Sequence, residues 1–151
     1  MKTKKKCENI LKADFPSLSQ NEALARSITS AFLMQLNLTV AELADIKCAV
    51  SEAVTNCTVH AYRDTVGSIV MTFRSYSDRS VKIEIKDRGC GICDISEAMQ
   101  PLFTSDPGGE RSGLGFTVME SFTDRLRVTS KPGKGTKVTL IKTLSPICSA
   151  T

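Results

Sequence analysis

Apolar residues recur at helical spacing in two stretches of the first half of the chain. The first stretch follows residues 19–22 (SQNE), which have the form of a capping box, and extends to about Asn37. The second follows residues 39–42 (TVAE), another capping box, and extends to about Tyr62. Its apolar positions share one face, which predicts a long helix packed on a core; they are Ile46, Val50, Ala53, Val54, Cys57 and Ala61.

Alternation of apolar and polar residues predicts two β-hairpins. In the second hairpin the strands lie around residues 126–128 and 138–141, with a turn at residues 131–135. A weaker strand is predicted over residues 6–15, where Pro16 closes it. The first hairpin turns at residues 77–79, and its apolar positions are Ile69, Met71, Phe73, Val81, Ile83 and Ile85.

A third helix is predicted to open at residues 112–115 (SGLG) and to run through Phe122. The irregular stretch of residues 102–111 before it contains Pro107 and two glycines, and we interpret it as a mobile loop. Helices, a hairpin, a helix and a second hairpin thus follow one another. This order predicts an α+β fold, a two-layer α/β sandwich with helices on one face of a mainly antiparallel sheet.

The composition is that of an ordinary soluble domain. The 151 residues are 41% hydrophobic and 24% charged, which is enough for one domain with a core but not comfortably for two. No apolar run approaches about 20 residues and no secretory signal is recognisable, so we expect a cytosolic, non-membrane protein. We treat residues 1–151 as a single domain, with a basic tail at residues 1–6 and a second tail at residues 145–151.

The net charge of +4 does not predict a nucleic-acid surface. Four lysines among the first six residues account for it, and the remaining chain is neutral overall. Cys90 and Cys93 form a C-x-x-C pair, but a second pair at suitable spacing is missing and the only histidine, His60, is remote in sequence. We therefore expect reduced thiols rather than a zinc or redox site.

Two polar residues lie one turn apart within the second predicted helix. Glu52 and Asn56 share a face that is not part of the apolar stripe. A carboxylate and a carboxamide at the border of a core are suited to holding Mg²⁺ and to activating a hydroxyl group. The alternative interpretation is an ordinary exposed polar face.

The segment Asp87-x-Gly89-x-Gly91 follows the strand of residues 81–86. It lacks the third glycine and the phosphate-binding helix of a dinucleotide fold. A carboxylate at this strand end could accept a hydrogen bond from the exocyclic amine of adenine, and the glycines would let a flat ring approach the backbone. A plain glycine turn is the alternative.

Residues 111–115 (RSGLG) form a candidate phosphate site at the start of the third helix. Free N–H groups and the helix dipole would attract an anion there, and Arg111 would add a charge-assisted contact. Residues 102–112 would then close over the bound anion as a lid. The alternative is a glycine-led helix start without a chemical role.

Taken in order with Gly135-Thr136, these segments resemble the nucleotide-binding boxes of the Bergerat-type ATPases, which include gyrase, the heat-shock chaperone, histidine kinases and MutL. The chain is similar, more closely still, to the anti-sigma F factors of spore-forming bacteria, which are serine kinases. This resemblance covers roughly residues 8–143, and the strings that carry it are residues 18–22 (LSQNE), 50–56 (VSEAVTN), 100–104 (QPLFT) and 110–113 (ERSG).

The resemblance implies binding of ATP or ADP with Mg²⁺, which Asn56 would coordinate, and assigns Glu52 as the general base for a substrate serine. It also implies a homodimer and adenine recognition by Asp87 with support from Thr136. Arg26 matches an arginine that the family uses to contact both a sigma factor and an anti-anti-sigma factor. The implied nucleotide-binding residues are Asn56, Asp87, Gly89, Gly91, Arg111, Ser112, Gly113, Leu114, Gly115 and Thr136.

Two departures from the family pattern touch the rim of the site: Ala61 stands where the family often has glycine, and Cys93 where it commonly has proline. We expect a serine protein kinase that also binds and inhibits a sporulation sigma factor. A nucleotide-gated binding module without kinase activity and a simple ATPase are the alternatives. A histidine autokinase is disfavoured, because its only candidate acceptor, His60, lies within the nucleotide domain.

Overall fold

The computed structural model describes residues 4–100 and 115–147. In these two segments the chain forms one five-stranded sheet covered on one face by helices, which confirms the predicted α+β class. The strands are β1 (Cys7–Pro16), β2 (Ser68–Tyr76), β3 (Ser80–Asp87), β4 (Arg125–Lys131) and β5 (Gly135–Thr143). The helices are α1 (Asn21–Leu33), α2 (Val40–Asn56), α3 (Ile95–Ala98) and α4 (Gly115–Phe122).

All neighbouring strands are antiparallel, and their order across the sheet is β1-β2-β3-β5-β4. Both predicted hairpins, β2-β3 and β4-β5, are present. The predicted weak strand is a ten-residue edge strand, which pairs with β2 along its length. Because β5 lies between β3 and β4, the end of β3 and the start of β5 are neighbours at one edge of the sheet, with Lys86 opposite Lys137.

Helix α2 begins and packs as its sequence predicts. The Thr39 hydroxyl accepts from the Glu42 N–H, and the Glu42 carboxylate accepts from the Thr39 N–H, which forms the capping box. The predicted apolar face is buried from Ile46 to Cys57, and α2 packs between α1 and α4. The helix does not continue regularly to its predicted end, because residues Cys57–Ala61 form a π-helical turn.

The capping box predicted at residues 19–22 is wrong. Helix α1 starts at Asn21, its N-cap residue is Gln20, and that residue makes no side-chain cap. The Glu22 N–H donates instead to the backbone carbonyl of Ser19 at 3.1 Å, so a backbone turn takes the donor that a cap would have used. The other end is close to the prediction: a 3₁₀ turn (Met34–Leu36) leads to Asn37, whose φ of 50° stops the helix.

The core lies between the helices and one face of the sheet, and the predicted alternation of the first hairpin is confirmed. All six of its predicted apolar residues are at most 2% exposed. Phe32 of α1 stacks on Phe73 of β2 with 5.3 Å between ring centroids. Helix α3 was not predicted; it is a single turn that the Asp94 carboxylate caps by accepting from the Glu97 N–H.

The chain after β5 is tied to the start of α2. Glu42 Oε1 accepts from both the N–H and the hydroxyl of Ser145, at 2.7 and 2.8 Å. Burial alone would raise the pKa of Glu42, but the hydrogen bonds from Thr39 and Ser145 outweigh it and lower the pKa to about 2. Among the described residues, no helix has the length and apolar character needed to cross a membrane.

Candidate functional site

Glu52 and Asn56 face the start of helix α4. Both are half-buried on α2, one turn apart. Gly115, the first residue of α4, lies so close that a Cβ there would be 3.3 Å from Glu52 Oε2 and 3.4 Å from Asn56 Oδ1. The structure therefore brings together three residues that the sequence assigned to two separate segments, and it places two polar side chains beside the N-terminal end of a helix.

Asp87 is the last residue of β3, and its carboxylate is buried, with 5% of the residue exposed. Oδ1 accepts from the N–H of Gly89 at 2.9 Å and from the N–H of Thr136 at 3.2 Å. Oδ2 accepts from the thiol of Cys57, with 3.4 Å between sulfur and oxygen. Asp87 and Thr136, predicted to work together, are thus in direct contact, but the contact runs through the main chain of Thr136.

The thiol of Cys57 was missed as a polar contact, because its position in the apolar stripe indicated only a core residue. It follows Asn56 directly and therefore connects the pair on α2 with Asp87. Burial raises the pKa of Cys57 well above its usual value, and the negative charge of Asp87 raises it further. The thiol is therefore protonated at neutral pH and acts as the donor.

The glycines after Asp87 are needed by the protein's own backbone. A Cβ on Gly89 would lie 2.4 Å from the carbonyl oxygen of Ala61. Gly91 has a φ of 74°, and a Cβ there would lie 2.2 Å from the carbonyl oxygen of Lys131. We expected the missing side chains of these glycines to leave space for a flat ring. That space is filled instead by the π-helical turn at Gly89 and by the β4-β5 hairpin at Gly91.

Main-chain hydrogen bonds hold this glycine loop on both sides. The Cys90 N–H donates to the Ala61 carbonyl at 3.0 Å, and the Cys90 carbonyl accepts from the Gly133 N–H at 2.7 Å. The thiols of Cys90 and Cys93 are free and exposed. The loop is therefore held between the end of the α2 segment and the second hairpin, which fixes the backbone that follows Asp87.

Ser130 and Tyr62 complete the surroundings of Asp87, and neither was predicted. Ser130 Oγ accepts from the Ile92 N–H and lies 2.8 Å from Thr136 Oγ1. The hydroxyl of Tyr62 donates to the Ser68 carbonyl and accepts from the Arg88 N–H. Burial raises the pKa of Tyr62, so its hydroxyl stays protonated. No local sequence pattern predicts these contacts. The bonds Ser130–Ile92 and Tyr62–Arg88 join segments far apart in the chain, and Ser130–Thr136 joins two neighbouring strands.

The remaining predicted residues lie elsewhere. Arg26 is half-buried on α1. Arg111, Ser112, Gly113 and Leu114 fall outside the described residues, as does the whole predicted lid at residues 102–112.

Comparison with known proteins identifies the domain. The sequence profile of the histidine kinase-like ATPase domain matches residues 15–142. The anti-sigma F factor of Caldanaerobacter subterraneus subsp. tengcongensis is 51% identical over 135 residues, which cover 89% of this chain and 93% of the relative. The anti-sigma F factor of Pasteuria penetrans is 49% identical over 137 residues, or 90% and 91% of the two chains. This chain belongs to the anti-sigma F factor family.

Solved structures support the same fold for this member of the anti-sigma F factor family. A Mycobacterium tuberculosis protein containing RsbU and RsbW domains matches with a TM-score of 0.69 and 22% identity, over 95% of this chain and 35% of that longer one. The histidine kinase domain of a blue-light activated kinase from Erythrobacter litoralis matches with a TM-score of 0.55 and 23% identity, over 82% and 60%. The predicted resemblance is confirmed, and the ATPase domain implies binding of ATP or ADP.

Proposed function

We propose that the protein is an ATP-dependent serine protein kinase that also binds and inhibits a sporulation sigma factor. The observation that carries the proposal is the convergence of Glu52 and Asn56 with Gly115 at the start of α4. Cys57, the residue after Asn56, links this group to the buried carboxylate of Asp87. A base, a metal ligand, a helix N-terminus and a buried acceptor are the parts that phosphoryl transfer from a purine nucleotide needs.

Asp87 is the proposed reader of adenine. Its Oδ1 is occupied by two backbone donors, whereas Oδ2 accepts one thiol and retains acceptor capacity. The exocyclic amine of adenine is a donor, so it complements Oδ2. Thr136 supports the recognition by holding Oδ1. Gly89 and Gly91 belong to the site because they set the backbone on which Asp87 sits.

Asn56 is the proposed Mg²⁺ ligand. Within residues 4–100 and 115–147 no cluster of three or more histidine, cysteine, aspartate or glutamate side chains could hold a metal. A neutral carboxamide beside the start of α4 nevertheless fits Mg²⁺, which takes few protein ligands when a nucleotide brings phosphate oxygens. When bound, Mg²⁺ would neutralise charge on the phosphates. Residues 111–115, including Arg111, Ser112, Gly113 and Leu114, would hold the phosphates, with residues 102–112 as lid.

Glu52 is the proposed general base. Its carboxylate is half-buried one turn before Asn56, so both groups face the same end of α4. A substrate hydroxyl presented there would give its proton to Glu52 while attacking the terminal phosphate. The substrate would be a serine of an anti-anti-sigma factor.

Arg26 is the proposed partner contact. It lies on α1 and is half-buried, so part of its side chain is accessible to a partner. The names of the relatives, anti-sigma F factors, support a sigma factor as one partner. We propose that both partners use this arginine, that the nucleotide state selects between them, and that the protein works as a cytoplasmic homodimer.

Labelled ATP separates this proposal from its alternatives. Incubation of the protein with γ-labelled ATP, Mg²⁺ and an anti-anti-sigma protein should transfer the label to a serine of that protein. An unlabelled partner that nevertheless forms a nucleotide-dependent complex would support the binding module without kinase activity. Phosphate release without any protein partner would support the simple ATPase.

A further inference from the structure

Cys57 connects the two halves of the proposed site. It follows Asn56 in the chain, it is 3% exposed, and its thiol donates to Asp87 Oδ2. Cys57 and Asp87 are 30 positions apart, so their hydrogen bond joins the end of α2 to the end of β3. The proposed chemistry gives the thiol no part, although it touches the carboxylate proposed to read the base.

The direction of this hydrogen bond is fixed. A carboxylate oxygen can only accept, and the Cys57 sulfur lies 3.4 Å from Oδ2, so the thiol is the donor. The other oxygen, Oδ1, is held by the N–H groups of Gly89 and Thr136. These two donors fix the position of Oδ1, and among the described residues it is the thiol that restrains Oδ2.

We propose that Cys57 is a positioning residue for base recognition: its thiol orients Asp87 so that Oδ2 meets the exocyclic amine of the purine. The inference rests on the proposed nucleotide site. Without the thiol, the carboxylate can tilt about Oδ1, and the buried oxygen loses a donor. The amine contact then loses its geometry, whereas contacts to the ribose and phosphates keep theirs.

If Cys57 positions Asp87, its substitutions should rank in one order for nucleotide binding. If Cys57 only fills the core, they should rank in the opposite order. Serine keeps the donor but adds a polar hydroxyl among apolar neighbours. Valine fills the space without a donor, and alanine has neither the donor nor the volume. If Cys57 only fills the core, valine should be the best replacement and serine the poorest. If it positions Asp87, serine should be the best for base recognition, whatever its effect on the melting temperature.

The test compares Cys57→Ser, Cys57→Ala and Cys57→Val with the wild type. Cys48→Ala is the matched control, because Cys48 is exposed on the same helix. Affinities are measured by calorimetry for ATP and for purine riboside triphosphate, which lacks the exocyclic amine. We expect Cys57→Ala and Cys57→Val to bind ATP about five- to tenfold more weakly. Their affinity for purine riboside triphosphate should match the wild type, and Cys57→Ser should remain within about twofold for both nucleotides.

The ratio of the two affinities, measured on one sample, does not depend on how much of a variant is folded. Equal losses for both nucleotides, or full ATP affinity in Cys57→Val together with a loss in Cys57→Ser, would overturn the inference and leave a core residue. A wild-type protein that binds neither nucleotide would instead refute the proposed function itself. Unchanged ATP binding in all three variants would refute only the role of Cys57.

Discussion

The backbone N–H of Thr136 donates to Oδ1 of Asp87 across 3.2 Å and so joins the start of β5 to the end of β3. The side chain of Thr136 points its hydroxyl to Ser130 instead. Asp87 is therefore oriented by the fold itself, through a main-chain donor that no substitution of Thr136 other than proline removes.

Asp87→Asn should weaken ATP binding by at least about tenfold, because an amide nitrogen in place of Oδ2 cannot accept from the thiol or from an exocyclic amine. Calorimetric titration with ATP checks this. Asp64→Asn, in the exposed turn before β2, is the control and should bind like the wild type. Unchanged affinity in Asp87→Asn would remove adenine recognition from this residue.

Glu52→Gln should abolish phosphoryl transfer while leaving ATP affinity within a few-fold of the wild type. The amide has nearly the same shape as the carboxylate but cannot take a proton. Single-turnover labelling of an anti-anti-sigma protein measures the transfer. Glu120→Gln, exposed on α4, should be fully active. If Glu52→Gln lost ATP binding as well, the assignment of Glu52 as a base would be wrong.

Gly115→Ala should separate stability from activity. Its backbone does not need glycine, and alanine is the better helix former, so the melting temperature should stay the same or rise slightly. The new Cβ would press on Glu52 Oε2 at 3.3 Å, so this oxygen must shift by a few tenths of an ångström, and it would touch Asn56 Oδ1 at 3.4 Å. We expect transfer to fall about tenfold. Transfer at the wild-type rate would show that this contact does not matter, and Ser121→Ala on the same helix controls for helix propensity.

Arg26→Ala should weaken binding of both the sigma factor and the anti-anti-sigma factor without weakening ATP binding. The residue lies on α1, whereas the proposed nucleotide site is formed by residues of α2, α4 and the sheet. Pull-down and calorimetry on the same preparation give both affinities. Equal loss of nucleotide and partner binding would indicate misfolding, and Arg125→Ala on the edge strand β4 should change neither.

Glu42→Gln should lower the free energy of unfolding by about 1 kcal/mol at neutral pH, because glutamine can keep the capping geometry but loses the charge that strengthens the hydrogen bonds from Thr39 and Ser145. The folded-state pKa of Glu42 is about 2, below its ordinary 4.5, so the carboxylate stabilises the fold above about pH 4.5. That contribution is lost as the pH falls through 2. Urea unfolding at several pH values should therefore show the difference from wild type shrinking below pH 4.5. A difference independent of pH would contradict the role of the charge.

The parts of the fold that were predicted correctly are those whose signal is local. Helix α2 has a long apolar stripe and a true capping box, and β2 and β3 alternate without interruption. The start of α1 was wrong because Ser19 occupies a backbone turn, which the sequence pattern of a capping box does not distinguish from a cap. Helix α3 is too short for its periodicity to be recognised.

Most named site residues came from the family resemblance, whereas the contacts among them could not be read from one sequence. The bond from Cys57 to Asp87 and the contact of Gly115 with Glu52 depend on how α2, β3 and α4 pack. The same holds for Ser130, whose hydroxyl reaches Ile92 across 38 residues. The backbone requires glycine at positions 89 and 91, but the space predicted to admit a flat ring there is occupied by other backbone.

In the π-helical turn Cys57–Ala61, the number of residues matters as much as their side chains. It presents the Ala61 carbonyl to the Cys90 N–H and leaves room only for glycine at position 89. Removing one residue from the turn would swing everything beyond it by about 100° around the helix axis. A substitution within the turn keeps this spacing, whereas a single deletion would detach the glycine loop from the helix that carries Asn56.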